Sequence, residues 1–210
     1  MTRLLALVAL VLAVSVGSAH ATTVTFEDVP IADGPNFPND FATDVTSGGF
    51  FFDTETNHSH ITTGDFFASN GTHFLGLDAF GGPTTKITPV GGGAFAFHSI
   101  DIGEWSFGGG TLWARHVVVT GNLVGGGTVS RTLDLDGIFD GPGGGADFQT
   151  FAFDASWANL SSVVLQGTGG DPGNYFGVDN IVVDAVPEPG TLTLLGLGSA
   201  YLIRRRRRNR

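Results

Sequence analysis

The sequence predicts an all-β protein, a single antiparallel β-sandwich over residues 22–185, flanked by a short apolar helix at each end of the chain. Three observations carry this prediction. Between Thr22 and Ala185, short β-branched and aromatic runs are separated by Gly, Pro, Asn and Asp clusters, and no long amphipathic helical pattern competes with them. Glycine triplets at residues 91–93, 108–110, 125–127 and 143–145 begin 17, 17 and 18 residues apart, an interval that fits one long strand or a short hairpin. Phe supplies 18 of the 23 aromatic residues, and a span of about 165 residues is long enough to bury them in one core between two sheets.

Thr23, Val24, Thr25 and Phe26 alternate in polarity as a first strand should. Phe95 and Phe97 alternate with Ala, Phe151 and Phe153 alternate ahead of Trp157, and Val163 with Leu165 closes on Gly167. Residues 29–47 are the least regular stretch. Pro30, Pro35 and Pro38 break any strand there, and Asp33, Asp40 and Asp44 keep it wet, so a long surface loop is expected. The segments between glycine triplets share no residue pattern, which argues against a repeat solenoid, and no linker marks a second domain.

Gly and Pro together make 42 of 210 residues, below the ~25–30% typical of low-complexity disorder. Cys is absent, which excludes a disulfide scaffold, a thiolate zinc site, a nucleophilic thiol and a lipid-modified cysteine. The net charge of −10 hides an asymmetry, because residues 22–186 carry 19 acidic and 3 basic side chains, a formal charge of −16. Such a surface repels phosphates, so a nucleic-acid partner is not expected. The three basic residues are Lys86, Arg115 and Arg131.

The ends address a membrane. Arg3 precedes the 13-residue apolar run from Leu4 to Val16, and small residues at Ala19 and Ala21 follow, so residues 1–21 form a secretory signal peptide, cleaved after Ala21 once the Sec translocon has engaged it. At the other end Val186, Pro187, Glu188, Pro189 and Gly190 precede thirteen mostly apolar residues, 191–203. Arg204, Arg205, Arg206, Arg207 and Arg208 then form a cationic stop, with Arg210 beyond. As a helix the apolar run spans ~20 Å, short of a ~30 Å hydrocarbon core, yet snorkelling arginines allow it to halt translocation with the tail in the cytoplasm. The two prolines stop helix from propagating back through Glu188, which leaves an extended peptide outside the bilayer.

This tripartite end, residues 186–210, resembles the PEP-CTERM sorting signal of Gram-negative bacteria. The resemblance implies recognition by an exosortase, removal of the tail after a transient stay in the inner membrane, and delivery to the cell surface or an exopolysaccharide matrix. The β span resembles the jelly-roll ectodomains of PEP-CTERM proteins and galactose-binding-like carbohydrate-binding modules. Four elements match in order: Val24 to Asp28, Ser69 to Leu75, Phe97 to Ile102 with Val117 to Gly121, and Phe176 to Val183.

In that architecture the first and last strands lie side by side, which would bring Glu27 or Asp28 to Asp179. The resemblance implies a structural calcium there, a hard ion suited to carboxylate and carbonyl oxygens; the competing reading is that these acids cap turns without a metal. Asp134, Asp136 and Asp140 approach the spacing of a calcium loop, but Gly137 stands where a ligand is needed, so they read as a solvated turn. His58 and His60 share one side of a strand and would need His73, His98 or a carboxylate to complete a metal site.

Trp105, Trp113, Trp157 and Tyr175 are the candidates for stacking on a sugar. Trp113 and Trp157 sit at alternating strand positions and read as core, so Trp105, beside the glycines at 108–110, is the favoured stacking residue. No nucleophile elbow, phosphate-binding loop or zinc-protease motif is present. The sequence therefore supports a secreted surface or matrix protein without catalytic activity. The alternatives are a carbohydrate-binding module attached to exopolysaccharide and a matrix-processing glycosidase, which needs a carboxylate pair ~5–9 Å apart.

Overall fold

A computed structural model describes residues 21–30, 44–54, 59–62, 70–77, 84–105, 112–138, 148–170 and 173–186. The two expected terminal helices, with the signal peptide up to residue 20 and the tail from Pro187, lie outside these residues, as do His58, Asp140 and the glycine triplets at 108–110 and 143–145. Among the described residues no helix is long and apolar enough to cross a membrane.

Twelve strands follow in order: β1 (Ala21–Val24), β2 (Asp44–Ser47), β3 (Phe50–Asp53), β4 (Ser59–Thr62), β5 (Phe74–Leu77), β6 (Thr84–Pro89), β7 (Ala94–Gly103), β8 (His116–Leu123), β9 (Thr128–Asp134), β10 (Phe148–Ala152), β11 (Leu160–Thr168) and β12 (Phe176–Val186). All pair antiparallel. One run of neighbours reads β2-β3-β6-β11-β8-β9, and the other reads β4-β5-β12-β7-β10, with β1 following β5 along the same edge of β12. A single pairing, Leu160 opposite Phe95, joins the two runs into one hydrogen-bonded network. That corner closes the β-sandwich that the sequence predicts.

Alternation sets the core. Val117, Val119 and Gly121 of β8 are buried, as are Phe95 and Phe97 of β7, and the four side chains other than Gly121 join residues from both runs in one apolar cluster. Aromatic pairs cross the interior: Phe50 of β3 lies 5.2 Å from Phe95 of β7, and Phe26 lies 5.0 Å from Phe52. Each such ring contributes about 2–3 kcal/mol by leaving water.

The two central strands change parity partway. In β7 the buried positions pass from Phe95 and Phe97 to Ile100 and Ile102; in β12 they pass from Phe176 and Val178 to Ile181 and Val183. Compensating register shifts around Val182 and Ser99 account for both, and Asn180 takes the left-handed backbone (φ 45°) that the bulge requires.

The end of the presumed 29–47 loop is strand β2, because Val45 alternates with Ser47 as buried positions and pairs with the strongly strand-forming Phe50 to Phe52. A favourable partner strand overrides the weak local pattern of Asp-Val-Thr-Ser.

Candidate functional site

The acids at the β1–β12 junction are placed by two backbone devices. Phe26, buried in the core, has a left-handed backbone (φ 57°), and Val29 donates its N–H to the Phe26 carbonyl at 3.0 Å. This turn sends Glu27 and Asp28 to different partners. Asp28 Oδ1 accepts from the Ser47 hydroxyl at 2.5 Å, and Oδ2 accepts from the Gly48 N–H at 3.0 Å. The Ser47 bond first, and the Gly48 bond next, hold its carboxyl below the usual carboxylate range. Glu27 Oε1 accepts from the His73 backbone N–H at 2.8 Å, and its Oε2 lies 3.8 Å from His73 Nδ1.

Asp179 lies at the β12 bulge and is fully buried. Its Oδ2 accepts from Asn70 Nδ2 at 2.6 Å and from the Thr72 hydroxyl at 2.9 Å. One turn, residues 70–73, therefore holds both Glu27 and Asp179, which come from opposite ends of the domain. Burial pushes the Asp179 carboxyl up, the bonds from Asn70, the Asn180 amide and Thr72 oppose that, and the neighbouring Asp101 charge adds to the rise. Asp179 Oδ1 is buried with no hydrogen-bond partner among the described residues. Of the three expected ligands, two meet at this turn, while Asp28 is committed to the β2–β3 turn. No group of three or more His, Asp and Glu side chains able to hold a metal ion occurs among the described residues.

The aromatic expectations are reversed at two positions. Trp105 is only 2% exposed, packed with Phe74 and Tyr175 in a small second cluster, with the Tyr175 ring 6.0 Å away. Its face is closed to a sugar, because Gly76 lets the indole lie flat against β5: a Cβ there would stand 2.9 Å from the ring. Trp157 is core, as expected, beside Phe97 and Phe153. Trp113, expected in the core, is half-buried and lines an open cavity of ≈440 Å³ with Arg115, His116, Leu135, Asp136 and Gly137.

That cavity is built where β8 begins and β9 ends. Ala114 N–H donates to the Tyr175 carbonyl at 2.7 Å and Arg115 N–H to the Thr168 carbonyl at 2.9 Å, which fixes the segment ahead of β8 against β11 and β12. Leu135 N–H returns to the Arg115 carbonyl at 3.0 Å. His116 Nδ1 is 2.7 Å from Asp134 Oδ1, and Asp136 Oδ1 accepts the Ile138 N–H at 2.8 Å, the solvated turn expected of this Asp-rich stretch. Trp113, Arg115, His116 and Asp136 are thus among the residues lining one cavity, with a volume in the range of small-ligand sites. Sequence reasoning missed Arg115 and His116. The available signal was Arg115 two positions after Trp113, one of only three basic residues in the whole acidic span.

Among the described residues, the other histidines lie on separate elements. His98 Nε2 bonds Asp184 Oδ2 at 2.8 Å on the exposed side of the sheet, and His73 faces Glu27. His60 lies in β4. The last strand runs straight into the candidate sorting segment: β12 ends at Val186, paired with Ala94, and Pro187 is the next residue.

Comparison with known proteins agrees with the reading of that end. None of the curated proteins matches the chain in sequence. Among solved structures, the carbohydrate-binding module TmCBM61, solved with β-1,4-galactotriose, is similar at TM-score 0.37 and 8% identity, over 65% of this chain and 88% of that one. A family 29 carbohydrate-binding module is similar at TM-score 0.38 and 12% identity, over 82% and 99%. The K2 cleaved adhesin domain of Lys-gingipain is similar at TM-score 0.39 and 11% identity, over 80% and 98%. The fold assignment rests on the strand pairing above rather than on likenesses of this strength. At the C-terminus, residues 185–208 match the family model described as the PEP-CTERM protein-sorting motif, and the chain therefore carries that sorting signal.

Proposed function

We propose that this protein is exported, held briefly at the inner membrane by residues 186–210, processed there by an exosortase, and released to the cell surface or exopolysaccharide matrix, where it serves without catalytic activity. The observation that carries the proposal is the sorting motif at 185–208, which begins in the last two residues of the last strand. A folded β domain stands on one side of the Val-Pro-Glu-Pro peptide and an apolar run with an Arg cluster on the other. Replacing Pro187, Glu188 and Pro189 together by Ala removes the extended peptide while leaving the apolar run intact. The expected outcome is a cell-associated, full-length precursor; release and size equal to the unaltered protein would refute the proposal.

The cavity favours a second role, attachment to a carbohydrate. Trp113, with Arg115, His116 and Asp136 in the same lining, belongs to the residue classes that stack on a pyranose and bond its hydroxyls. The formal −16 of the domain disfavours a polyanionic glycan, so a neutral polysaccharide is the expected ligand. Trp113→Ala should weaken retardation in gels containing that polysaccharide by about tenfold, the scale of one lost stacking contact of ~1.4 kcal/mol. Trp105→Ala tests the core rather than the site, and selective loss of binding in that variant alone would refute the assignment.

Calcium is proposed at the 70–73 turn. Glu27 and the unpartnered Oδ1 of buried Asp179 are hard oxygen donors of the class this ion takes, and the Thr72 hydroxyl adds an oxygen beside Asp179, where Asn70 presents its amide nitrogen. Thermal unfolding should shift upward with added Ca²⁺ and return with chelator, and Asp179→Asn should abolish the shift. An unchanged midpoint in all conditions removes the metal and leaves the acids as turn caps.

A further inference from the structure

Strand pairing brings both ends of the domain to one place. β1 runs antiparallel to β12 with Ala21 opposite Asp184 and Thr22 opposite Val183, so the chain enters the sandwich beside the point where it leaves. Val186 lies opposite Ala94, which places the exit against the β6–β7 turn. The β8–β9 turn reaches the same end through successive pairings. Ala185 is opposite Phe95, Phe95 opposite Leu160 and Leu160 opposite Leu123, after which Val124 N–H donates to the Asn159 carbonyl at 2.9 Å. Three strand spacings keep Leu123 within ~15 Å of the exit.

The two turns have the same chemistry. One reads Pro89-Val90-Gly91-Gly92-Gly93-Ala94 and the other Leu123-Val124-Gly125-Gly126-Gly127-Thr128, and neither contains a charge. Val90 is 58% and Val124 48% exposed, two of the three large apolar side chains so exposed among the described residues. The third, Ile138 at 53%, follows β9 at the opposite, cavity end. In a domain of formal −16, the lack of charge in these turns lessens their repulsion from anionic headgroups.

The chain beyond the exit is short. Only Pro187, Glu188, Pro189 and Gly190 separate Val186 from the apolar run at 191–203. Fully extended, that connection covers at most ~18 Å, so the exit end of the sandwich must stay close to wherever the apolar run inserts.

We propose that, in the unprocessed precursor, this end of the sandwich rests on the outer face of the phospholipid bilayer. Val90 and Val124 sit at headgroup level, and the Trp113 cavity points away from the membrane. The inference rests on the reading of residues 186–210 as a membrane-held sorting signal, and adds to it a fixed orientation of the folded domain. The sorting enzyme is the competing occupant of the same end.

The absence of Cys makes the test direct. Val90→Cys, Val124→Cys and Ile138→Cys are made in the full chain, purified with its tail intact from cells lacking the sorting enzyme. Each is labelled with an environment-sensitive fluorophore and reconstituted in vesicles of phosphatidylethanolamine and phosphatidylglycerol containing a headgroup-quencher lipid. All three positions are exposed, so folding should survive, and unchanged far-ultraviolet spectra check that. Labels at 90 and 124 should be quenched at least about twofold more than the label at 138. Equal quenching at the three positions, in protein that floats with the vesicles, overturns the orientation and leaves the membrane-held tail standing. Failure to float overturns both. An emission shift at 90 and 124 without quenching, seen only when the sorting enzyme is co-reconstituted, assigns the end to that enzyme and overturns contact with lipid.

Discussion

The two ends of the sandwich use glycine for opposite reasons. At the exit end, Gly91, Gly92, Gly125 and Gly126 have φ between 82° and 103°, and a Cβ on any of them would meet nothing within 4 Å. Here glycine supplies backbone freedom for tight turns between long strands, and space is not at issue. At the cavity end, a Cβ on Gly167 would stand 2.3 Å from the Asn174 carbonyl oxygen, and one on Gly173 would stand 2.7 Å from the Leu112 carbonyl oxygen. There glycine lets backbones approach so that the segment carrying Trp113 and Arg115 can be pinned against β11 and β12. The contrast separates an open end that accommodates change from a tightly built end that shapes a site.

The largest expected effect follows at the tight end. Gly167→Ala drives a methyl into a backbone carbonyl, which cannot swing aside, and should cost about 3 kcal/mol or more in urea unfolding while deforming the Trp113 cavity. A loss below that of an exit-end glycine would break the contrast. Gly126→Ala, by comparison, should cost only ~1 kcal/mol, from the strain of a left-handed alanine, and leave the cavity untouched.

Titration separates Asp28 from Asp179, two of the acids the jelly-roll resemblance groups as candidate ligands. The Asp28 carboxyl is held low, so its contribution to stability is present above the ordinary carboxylate range and is lost as pH falls through its lowered folded value. Asp179 is pushed up, so the folded state binds its proton first, and stability rises as pH falls through its raised value. Urea midpoints measured from neutral pH downward should show the unaltered protein gaining on Asp179→Asn as pH drops, whereas Asp28→Asn should show a weaker acid-side loss than the unaltered protein. Parallel curves for all three would contradict the assigned environments.

The smallest effect is expected at Arg131. Its guanidinium donates to the Ala152 carbonyl and lies 5.5 Å above the Phe153 ring on an exposed edge, so Arg131→Ala should cost about 0.5–1 kcal/mol.

Much of the fold was legible because its causes are local. Alternation at Phe95 and Phe97 and at Val163 and Leu165, with glycine turns at 91–93 and 125–127, announces strands and hairpins by period and chirality alone. The pairing of first and last strands followed from the jelly-roll resemblance, and β1 does pair with β12. What escaped was decided by distant partners. Strand β2 needs β3 to exist, and the parity change in β7 and β12 needs bulges that no single strand reveals. Trp105 escaped because in sequence it stands close to the glycines at 108–110, whereas its neighbours in space are Phe74, Gly76 and Tyr175. The cavity escaped for the same reason, since it joins the start of β8 to the end of β9.

The central claim is that the tail is a processed sorting signal, and the intact mass of the mature protein tests it most directly. Protein recovered from cells with the sorting enzyme should lack both the signal peptide and the Arg-rich end, whereas protein from cells without it should keep residues 191–210. The same mass from both strains, with the Arg-rich end present, would contradict the account.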